Sequence, residues 1–350
     1  MGTDSSVPPP VWATLMTSYH SLLERRGSAS YQEPSEPCFY FTPQLIWHHW
    51  KPDANFICTN PLVDNARAVW HNNYTMNRLN NSKRTQIIAA LVEGNSLRAT
   101  ARMCDVAFNT VLKLLPLIGA ACLEYQDKAL RNLKSKRIQC DEIWSFVGSK
   151  EKNTTPEKKA EGWGDVWTWV AIDADTKLVP SFMVGSRGAG TAKSFMDDLA
   201  GRLANRVQLT TDGHRVYLQA VEGAFGSEID YAMLVKIYGN DSESEVRYSP
   251  AECIGCQTVG ITGRPDPAHI STSFVERQNL TMRMKMRRFT RLTNAFSKKA
   301  ENHFWAIALH YMHYNFCRIH QTLRVTPAMA AGVTDRVWDV EDIAALLDSK

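Results

Sequence analysis

The apolar residues of this 350-residue chain change their spacing near Ile138, and this change constrains the fold more than any other feature. Between residues 78 and 138 apolar side chains recur every three to four positions, which is the period of an amphipathic helix. After Ile138, β-branched and aromatic residues form short runs typical of strands. The pattern predicts strands at 138–147, 166–174, 178–184 and 206–211, with helices at 192–203, 214–222, 273–292 and 298–317. A chain of this order is expected to fold as an all-helical domain followed by an α/β domain.

The same pattern divides the chain into four segments. Residues 1–75 form an irregular leader, interrupted by Pro8-Pro9-Pro10 and later prolines, for which poor order is expected. The helical domain covers 76–137, the α/β domain covers 138–333 with a polar insert near 239–269, and a helical tail covers 334–350. No run approaches the roughly 18 apolar residues of a membrane span, so no membrane association is expected.

The helical domain has the spacing of a helix-turn-helix DNA-binding unit. A break at Gly94-Asn95 follows the first helix, Ser96 is placed to cap a short second helix, and Asn109 is placed to cap a third. Residues 78–138 carry eleven Arg and Lys and four acidic residues, a net charge of +7, although the whole chain carries only +4. This charge favours DNA binding through Asn109, Thr110 and Lys113. A small helical bundle that does not contact DNA is the alternative.

Three acidic residues fall on separate elements of the α/β domain. Asp141 lies within the first strand, Asp212 lies at the tip of a later strand, and Glu276 lies near the start of a basic helix. Burying a carboxylate in an apolar strand is costly unless its charge is compensated. Two Mg²⁺ ions would compensate it and would also support phosphoryl transfer. Because strand side chains alternate, Glu142 is expected on the face opposite Asp141, as a structural residue rather than a ligand.

The helix that begins near Phe274 is strongly basic. Residues 274–291 contain six Arg and Lys and one acid, a net charge of +5. Glu276, Asn279 and Arg283 share one helical face, which places a carboxylate, an amide and a cation in a row. Such a face is suited to holding a phosphate backbone, although an isolated basic helix is usually a solvated surface.

The eight cysteines do not form the pattern of a zinc site. Cys253 and Cys256 are the one close pair, and no second pair stands at metal-ligand spacing. Zinc is therefore not expected, and free thiols are the default reading. The glycine-containing stretch at 185–190 lacks the Lys-Ser or Lys-Thr ending of a phosphate loop and is read as a turn before a helix.

Three strings of residues, in this order, resemble the signatures of insertion-sequence-one-type (IS-one) bacterial transposases. The first is Asp141-Glu142-Ile143-Trp144-Ser145-Phe146-Val147-Gly148. The second is Thr211-Asp212-Gly213-His214 with Tyr217 nearby, and the third is Glu276-Arg277-Gln278-Asn279-Leu280 followed by Arg283 and Phe296-Ser297-Lys298. The resemblance covers about residues 76–333 and includes Tyr314-Asn315-Phe316 and Thr326-Pro327-Ala328 near the end.

The resemblance implies a fold, a cofactor and an activity. It implies a ribonuclease-H-like catalytic domain that binds two Mg²⁺ or Mn²⁺ ions through Asp141, Asp212 and Glu276. Such enzymes cut the ends of an insertion sequence and join the freed 3′-hydroxyls to target DNA. The implied partners are double-stranded DNA, at the terminal inverted repeats and the target, and further copies of the chain assembled on that DNA. In this interpretation the protein is cytoplasmic and nucleoid-associated, and the expected DNA-contacting residues in the catalytic domain are His214, Arg277, Asn279, Arg283 and Arg287.

The sequence departs from the family in its first 75 residues, where the N-terminal zinc finger of many members has no cysteine pattern. Two other readings stay open at this stage. One is a metal-dependent nuclease or resolvase of the same fold, which cleaves without joining. The other is a DNA-binding regulator without catalytic activity. The presence of Asp141, Asp212 and Glu276 argues against this second reading.

Overall fold

The computed structural model describes residues 79–239, 253–290 and 293–348. The predicted leader, residues 1–75, lies outside the described residues. The three predicted helices upstream of the sheet are α1 (Asn81–Val92), α2 (Leu97–Met103) and α3 (Phe108–Ala129). Ser96 caps α2 as expected, because its hydroxyl accepts a hydrogen bond from the backbone N–H of Ala99 at 3.1 Å. Gly94, with φ of +85°, provides the turn that ends α1.

The start and the length of α3 differ from the prediction. The extended backbone conformation of an N-cap falls at Ala107, two residues before Asn109, so the predicted cap at Asn109 was wrong and this residue lies in the first turn. Although proline usually kinks or ends a helix, α3 continues through Pro116 to Ala129.

Helix α3 is, by length and composition alone, apolar enough to cross a membrane. A core helix of a globular protein meets the same criteria. Leu115, Ile118 and Cys122 of α3 are buried in the same apolar cluster as Phe304 and Trp305, so much of its apolar surface is covered within the fold.

The centre of the molecule is a mixed six-stranded sheet. Its strands are β1 (Arg137–Val147), β2 (Gly164–Asp173), β3 (Ser181–Gly185), β4 (Gln208–Asp212), β5 (Asp230–Tyr238) and β6 (Cys253–Thr262). They lie in the order β3-β2-β1-β4-β5-β6. Strands β1, β2 and β3 pair antiparallel, β4 is parallel to both β1 and β5, and β6 closes the edge antiparallel to β5. A short helix, α4 (Pro156–Ala160), lies between β1 and β2.

Two strands were not predicted. Strand β5 follows a helix directly, and β6 falls inside the stretch read as a polar insert, residues 239–269. Residues of β6 are exposed or half-exposed along its length, which is the pattern of an edge strand. Its two cysteines and two glycines give no apolar alternation from which a strand could be recognised.

Helices cover both faces of the sheet. On one face, α5 (Ala189–Ala200) and α6 (Val216–Phe225) bury Phe195 and Tyr217 against Cys140 of β1 and Trp169 of β2. On the other face, α7 (Ser273–Lys285) and α8 (Ala300–Met312) pack with α3 against alternate residues of the same strands, among them Ile143. The helices upstream and the sheet thus share one core.

The chain after α8 continues as a π-helix, His313–Cys317, followed by α9 (Pro327–Ala330) and α10 (Val340–Ala345). The predicted tail therefore contains α10, which packs against α1. Arg84 of α1 donates to both carboxylate oxygens of Asp348 at 2.9 Å.

Arg202 joins α3, upstream of the sheet, to α5. Its side chain is 2% exposed, and it bonds to both carboxylate oxygens of Asp198 on α5 at 2.8 and 3.0 Å. The same guanidinium donates to Asp127 on α3 at 2.9 Å and to the carbonyl of Leu130 at 3.2 Å. A single buried cation therefore satisfies acceptors from both α3 and α5.

Candidate metal centre

The two predicted aspartates meet where β4 ends beside the middle of the parallel strand β1. The last residue pair between β1 and β4 joins Cys140 to Thr211, and Asp141 and Asp212 follow directly on the two strands. Because β1 and β4 are parallel and paired in register, the residues that follow this pair lie next to each other, and the two carboxylates are close. The strands on both sides of β1 and β4 make this a rigid position in the sheet.

Each aspartate is oriented by hydrogen bonds that leave the side chain little freedom. Asp141 accepts from the backbone N–H of Glu142 at 2.8 Å through Oδ1, and from the side-chain amide of Asn279 at 2.9 Å through Oδ2. Asp212 accepts from the backbone N–H of His214 at 3.0 Å. Helix α7 thus reaches the site through Asn279, which lies one turn beyond Glu276.

Glu142 belongs to the same cluster, which sequence reasoning missed. Carboxylate oxygens of Asp141, Glu142 and Asp212 all lie within 4.8 Å of one another. The side chains of Asp141 and Glu142 do point to opposite faces of β1, as strand alternation predicts. Asp141 contacts α7, whereas Glu142 lies beside Tyr217 of α6. However, β1 extends beyond the last residue of β4, so side chains from both faces can reach Asp212 there.

Burial and mutual repulsion make these carboxylates hard to ionise. Burial, reinforced by the nearby Asp212 charge, raises the pKa of Asp141 to about 6. The same two causes raise the pKa of Glu142 to about 7. One cation, Arg187 in the turn after β3, offsets part of this charge, with Nε 3.1 Å from Glu142 and Nη2 3.9 Å from Asp212. Arg187 lies in the stretch 185–190, whose sequence predicts only a turn before a helix.

Glu276 faces the site but is held separately. Its Oε1 accepts from Lys236 Nζ of β5 at 2.6 Å and from the Thr272 hydroxyl at 2.5 Å. Its charge contributes to the raised pKa of Asp141, so the two carboxylates interact, although Glu276 is not within the group of three. Because β5 itself was not predicted, no sequence signal pointed to Lys236.

The donor set fits a hard divalent cation. Glu142 Oε1 and Asn279 Oδ1 are buried and have no hydrogen-bond partner among the described residues. Carboxylate and amide oxygens are the ligands that such cations prefer, and a bound cation would satisfy these atoms and offset the clustered negative charge. The group Asp141, Glu142 and Asp212 could therefore hold a metal ion.

The residues predicted to contact DNA lie in two regions. Asn109 and Lys113 are exposed and Thr110 is half-buried in the first two turns of α3. Arg277 and Arg287 are exposed on or just after α7, whereas Arg283 is half-buried and Asn279 is only 3% exposed. His214 is half-buried, and its Nε2 lies 3.2 Å from the carbonyl oxygen of Arg187. The DNA contacts themselves stay predictions.

Comparison with known proteins adds little to this geometry. No protein-family profile and no curated protein matches the sequence. Among solved structures, a match is the cryo-EM structure of the piggyBac transposase synaptic complex with hairpin DNA, at 11% identity and a TM-score of 0.35. The match covers 87% of this chain and 79% of the transposase chain. That likeness is too loose to assign fold or function, and no comparison supports the resemblance to IS-one-type transposases in particular.

The metal-free protein is expected to lose stability as the pH rises from about 4 to about 7. In the unfolded chain the carboxyls of Asp141 and Glu142 titrate near pH 4, whereas in the folded protein they keep their protons up to about pH 6 and about pH 7. The folded state binds more protons across this window, so the free energy of unfolding falls with rising pH. A bound cation removes the cause, and Mg²⁺ should raise the melting temperature more at about pH 8 than at about pH 5. A Mg²⁺ effect that is independent of pH, measured by thermal unfolding, would contradict this assignment.

Proposed function

We propose that this chain is a DNA transposase of the IS-one type that cleaves the ends of an insertion sequence and joins the 3′-hydroxyls to target DNA. The observation that carries the proposal is the pair of half-buried aspartates, Asp141 and Asp212, side by side on two parallel strands. Their position opposite Glu276 supports a catalytic centre of two aspartates and one glutamate. The mixed sheet, with antiparallel β1–β3 and parallel β4 and β5, supports a ribonuclease-H-like domain.

In this proposal the chain's own residues fix the ligand oxygens before the DNA arrives. Asn279 and the backbone N–H of Glu142 hold Asp141, while the backbone N–H of His214 holds Asp212. Ligands fixed in advance need no reorganisation during the reaction. Two divalent cations, Mg²⁺ or Mn²⁺, would supply stabilisation of the attacking and leaving oxygens of an in-line phosphoryl displacement.

In this proposal Glu276 is the third ligand and moves toward the aspartates when metal and DNA bind. Its side chain is 40% exposed, and both of its hydrogen bonds, from Lys236 and Thr272, go to Oε1, which leaves Oε2 for a cation. Lys236 would then stay near the phosphate of the bound strand. A lysine there acts as a point charge for phosphate and contributes to holding the DNA against the carboxylates.

The activity is tested by cleavage of a duplex that carries the native element end. The expected product has a free 3′-hydroxyl at the element boundary and forms with Mg²⁺ or Mn²⁺ but not with a chelator present. Cleavage that persists in the chelator, or absence of cleavage with either ion, would count against the proposal. Calorimetric titration of the same cations into the DNA-free protein gives an independent measure of the site.

Recognition of the element ends is assigned to α1, α2 and α3, read as a helix-turn-helix unit. Lys113→Ala, at an exposed position in the second turn of α3, is expected to weaken duplex binding several-fold and to lower the slope of affinity against salt by about one unit. Fluorescence anisotropy at several salt concentrations measures both quantities. Lys193→Ala is the matched control, because Lys193 is an exposed lysine of α5 paired with Asp197. Equal slopes for the two variants would refute the assignment of α3.

A further inference from the structure

A half-buried aromatic surface extends from the metal centre along the sheet. Helices α5 and α6 cover this face as far as Trp169, the residue opposite Glu142 in the β1–β2 pairing. Two residues further along, Trp144 of β1 lies directly opposite Trp167 of β2, and residues paired in this way point to the same face. Both tryptophans are half-buried, as is Phe146, the next residue of β1 on this face.

Ring contacts connect Trp144, Phe146 and Phe296, and Trp167 lies beside them as the cross-strand partner of Trp144. The ring centroids of Trp144 and Phe146 lie 5.7 Å apart, and those of Phe146 and Phe296 lie 5.0 Å apart. The interplanar angles of 37° and 32° keep the neighbouring rings closer to parallel than to perpendicular. We refer to Trp144, Phe146, Trp167 and Phe296 as the aromatic platform.

Two cations lie beside the platform. Arg187 lies between it and the metal centre, and Lys150 lies beside Trp144. The guanidinium of Arg187 lies 4.6 Å from the centre of the Trp167 ring while its Nε contacts Glu142 of the carboxylate cluster. Lys150 Nζ lies 5.6 Å from the centre of the Trp144 ring. Two acids lie nearby: Glu151 is paired with Lys159 at 2.8 Å, and Asp165, opposite Phe146 on β2, accepts from the backbone N–H of Glu151 at 3.0 Å. Arg187 therefore links the carboxylates and the platform through one side chain.

We propose that the aromatic platform binds unpaired nucleotides of the DNA strand whose phosphate lies at the metal centre, an inference that rests on the proposed function. Every base has a flat face that stacks on aromatic rings, so such a surface holds single-stranded DNA with little sequence preference. Bases in a duplex are already stacked on one another and cannot offer their faces to the platform. Arg187 and Lys150 lie against the Trp167 and Trp144 rings and supply positive charge for the phosphates of the bound strand.

The platform predicts that strands separate next to the cleavage site. A DNA strand that runs from the carboxylates toward Trp167 and Trp144 crosses a surface that binds unpaired bases by stacking. Melting of a few base pairs costs a few kcal/mol, and stacking of about 1–3 kcal/mol per base offsets that cost. Element ends with frayed or mismatched base pairs should therefore bind more tightly than fully paired ends.

The test measures binding of a labelled single-stranded DNA oligonucleotide and of the same sequence as a duplex, by anisotropy in a chelating buffer. Trp144→Ala is expected to weaken single-strand binding about tenfold and to leave duplex binding within about twofold, while Trp144→Phe restores most of the affinity. Trp338→Ala is the matched control, because Trp338 is another half-buried tryptophan with a cation, Arg336, 5.6 Å from its ring centre. It lies in the C-terminal segment against Tyr125 and Phe316.

Several results would overturn the proposal. They are unchanged single-strand affinity in a folded Trp144→Ala protein, equal losses for single strand and duplex, and tighter binding of single-stranded RNA than of DNA. If Trp144→Ala does not fold, as judged by its melting temperature, Phe296→Ala outside the sheet makes the same test with the same expected loss. The assay needs no catalysis. Intact platform binding without DNA cleavage would reject the proposed function alone, whereas cleavage with unchanged binding in the variants would reject the platform alone.

Discussion

Replacing Asp141 by Asn is expected to reduce metal-dependent DNA cleavage by about a hundredfold to a thousandfold, the scale of losing one preorganised electrostatic group in an active site. Asp141 is the carboxylate that the fold fixes most firmly, through Asn279 and the backbone N–H of Glu142. Asparagine keeps the shape of the side chain and removes the charge that a divalent cation needs. Asp212→Asn should produce a loss of similar size, because its carboxylate completes the same cluster. Cleavage of the element-end duplex, with initial rates measured in Mg²⁺, is the measurement.

The Asp141→Asn protein should lose activity without losing stability. Burial and the Asp212 charge raise the pKa of Asp141, so ionised Asp141 destabilises the metal-free fold at neutral pH, and asparagine relieves that cost. The melting temperature of the variant should equal or exceed that of the wild type in a chelator. Asp197→Asn, on the half-exposed surface of α5, is the control and should leave cleavage unchanged. An Asp141→Asn protein that cleaves at the wild-type rate would eliminate Asp141 as a ligand.

Replacing Arg202 by Ala is expected to lower the free energy of unfolding by about 3–5 kcal/mol, the range for removing one member of a buried ion pair. The variant leaves Asp198, whose side chain is 1% exposed, without its cation. It also removes the bonds from Arg202 to Asp127 and to the carbonyl of Leu130, which tie α3 to α5. Chemical denaturation followed by circular dichroism measures the loss.

The control for Arg202 is an ion pair of the same spacing on the surface of the same helix. Lys193 and Asp197 of α5 stand four residues apart, as Asp198 and Arg202 do, but the lysine side chain is 69% exposed. Lys193→Ala should change the free energy of unfolding by no more than about 0.5 kcal/mol. A loss below about 1 kcal/mol in Arg202→Ala would contradict the role assigned to the buried network.

Local patterns were sufficient for much of the fold. Strands β1 to β4 and helix α5 occupy nearly the predicted positions, because their apolar runs and turns are strong local signals. Residues 231–235 of β5 form a short apolar run like the one that predicts β1, so this strand could have been predicted from the sequence. Strand β6 is different, since an exposed edge strand is stabilised by its pairing with β5 rather than by its own apolar pattern.

The candidate site could be predicted only in part. Asp141, Asp212 and Glu276 could each be placed on an element, but their distances depend on which strands are neighbours. Glu142 joins the cluster because β4 ends at Asp212 while β1 continues. The alternation of side chains along β1 does not show where the neighbouring strand ends. Arg187 and Lys236 reach the carboxylates from a turn and from β5, so their roles are visible only in the tertiary structure.

The burial of Asn279 also depends on tertiary packing. Helical spacing placed Asn279 on the face of Glu276, yet only the packing of α7 against β1 gives its amide to Asp141. The domain boundaries, the individual DNA contacts and the assembly of copies on DNA remain predictions. The predicted residues Arg277, Arg287 and Lys113 are exposed, which such contacts require.

The most direct test of the account is strand joining by the purified protein. A duplex carrying the native element end is incubated with a target plasmid and Mg²⁺, and the wild type is compared with Glu276→Gln. We expect covalent joining of the element 3′-end to the plasmid by the wild type, and none above background by Glu276→Gln, although the variant still binds the end. Joining by Glu276→Gln at the wild-type level, or cleavage without joining by the wild type, would contradict it.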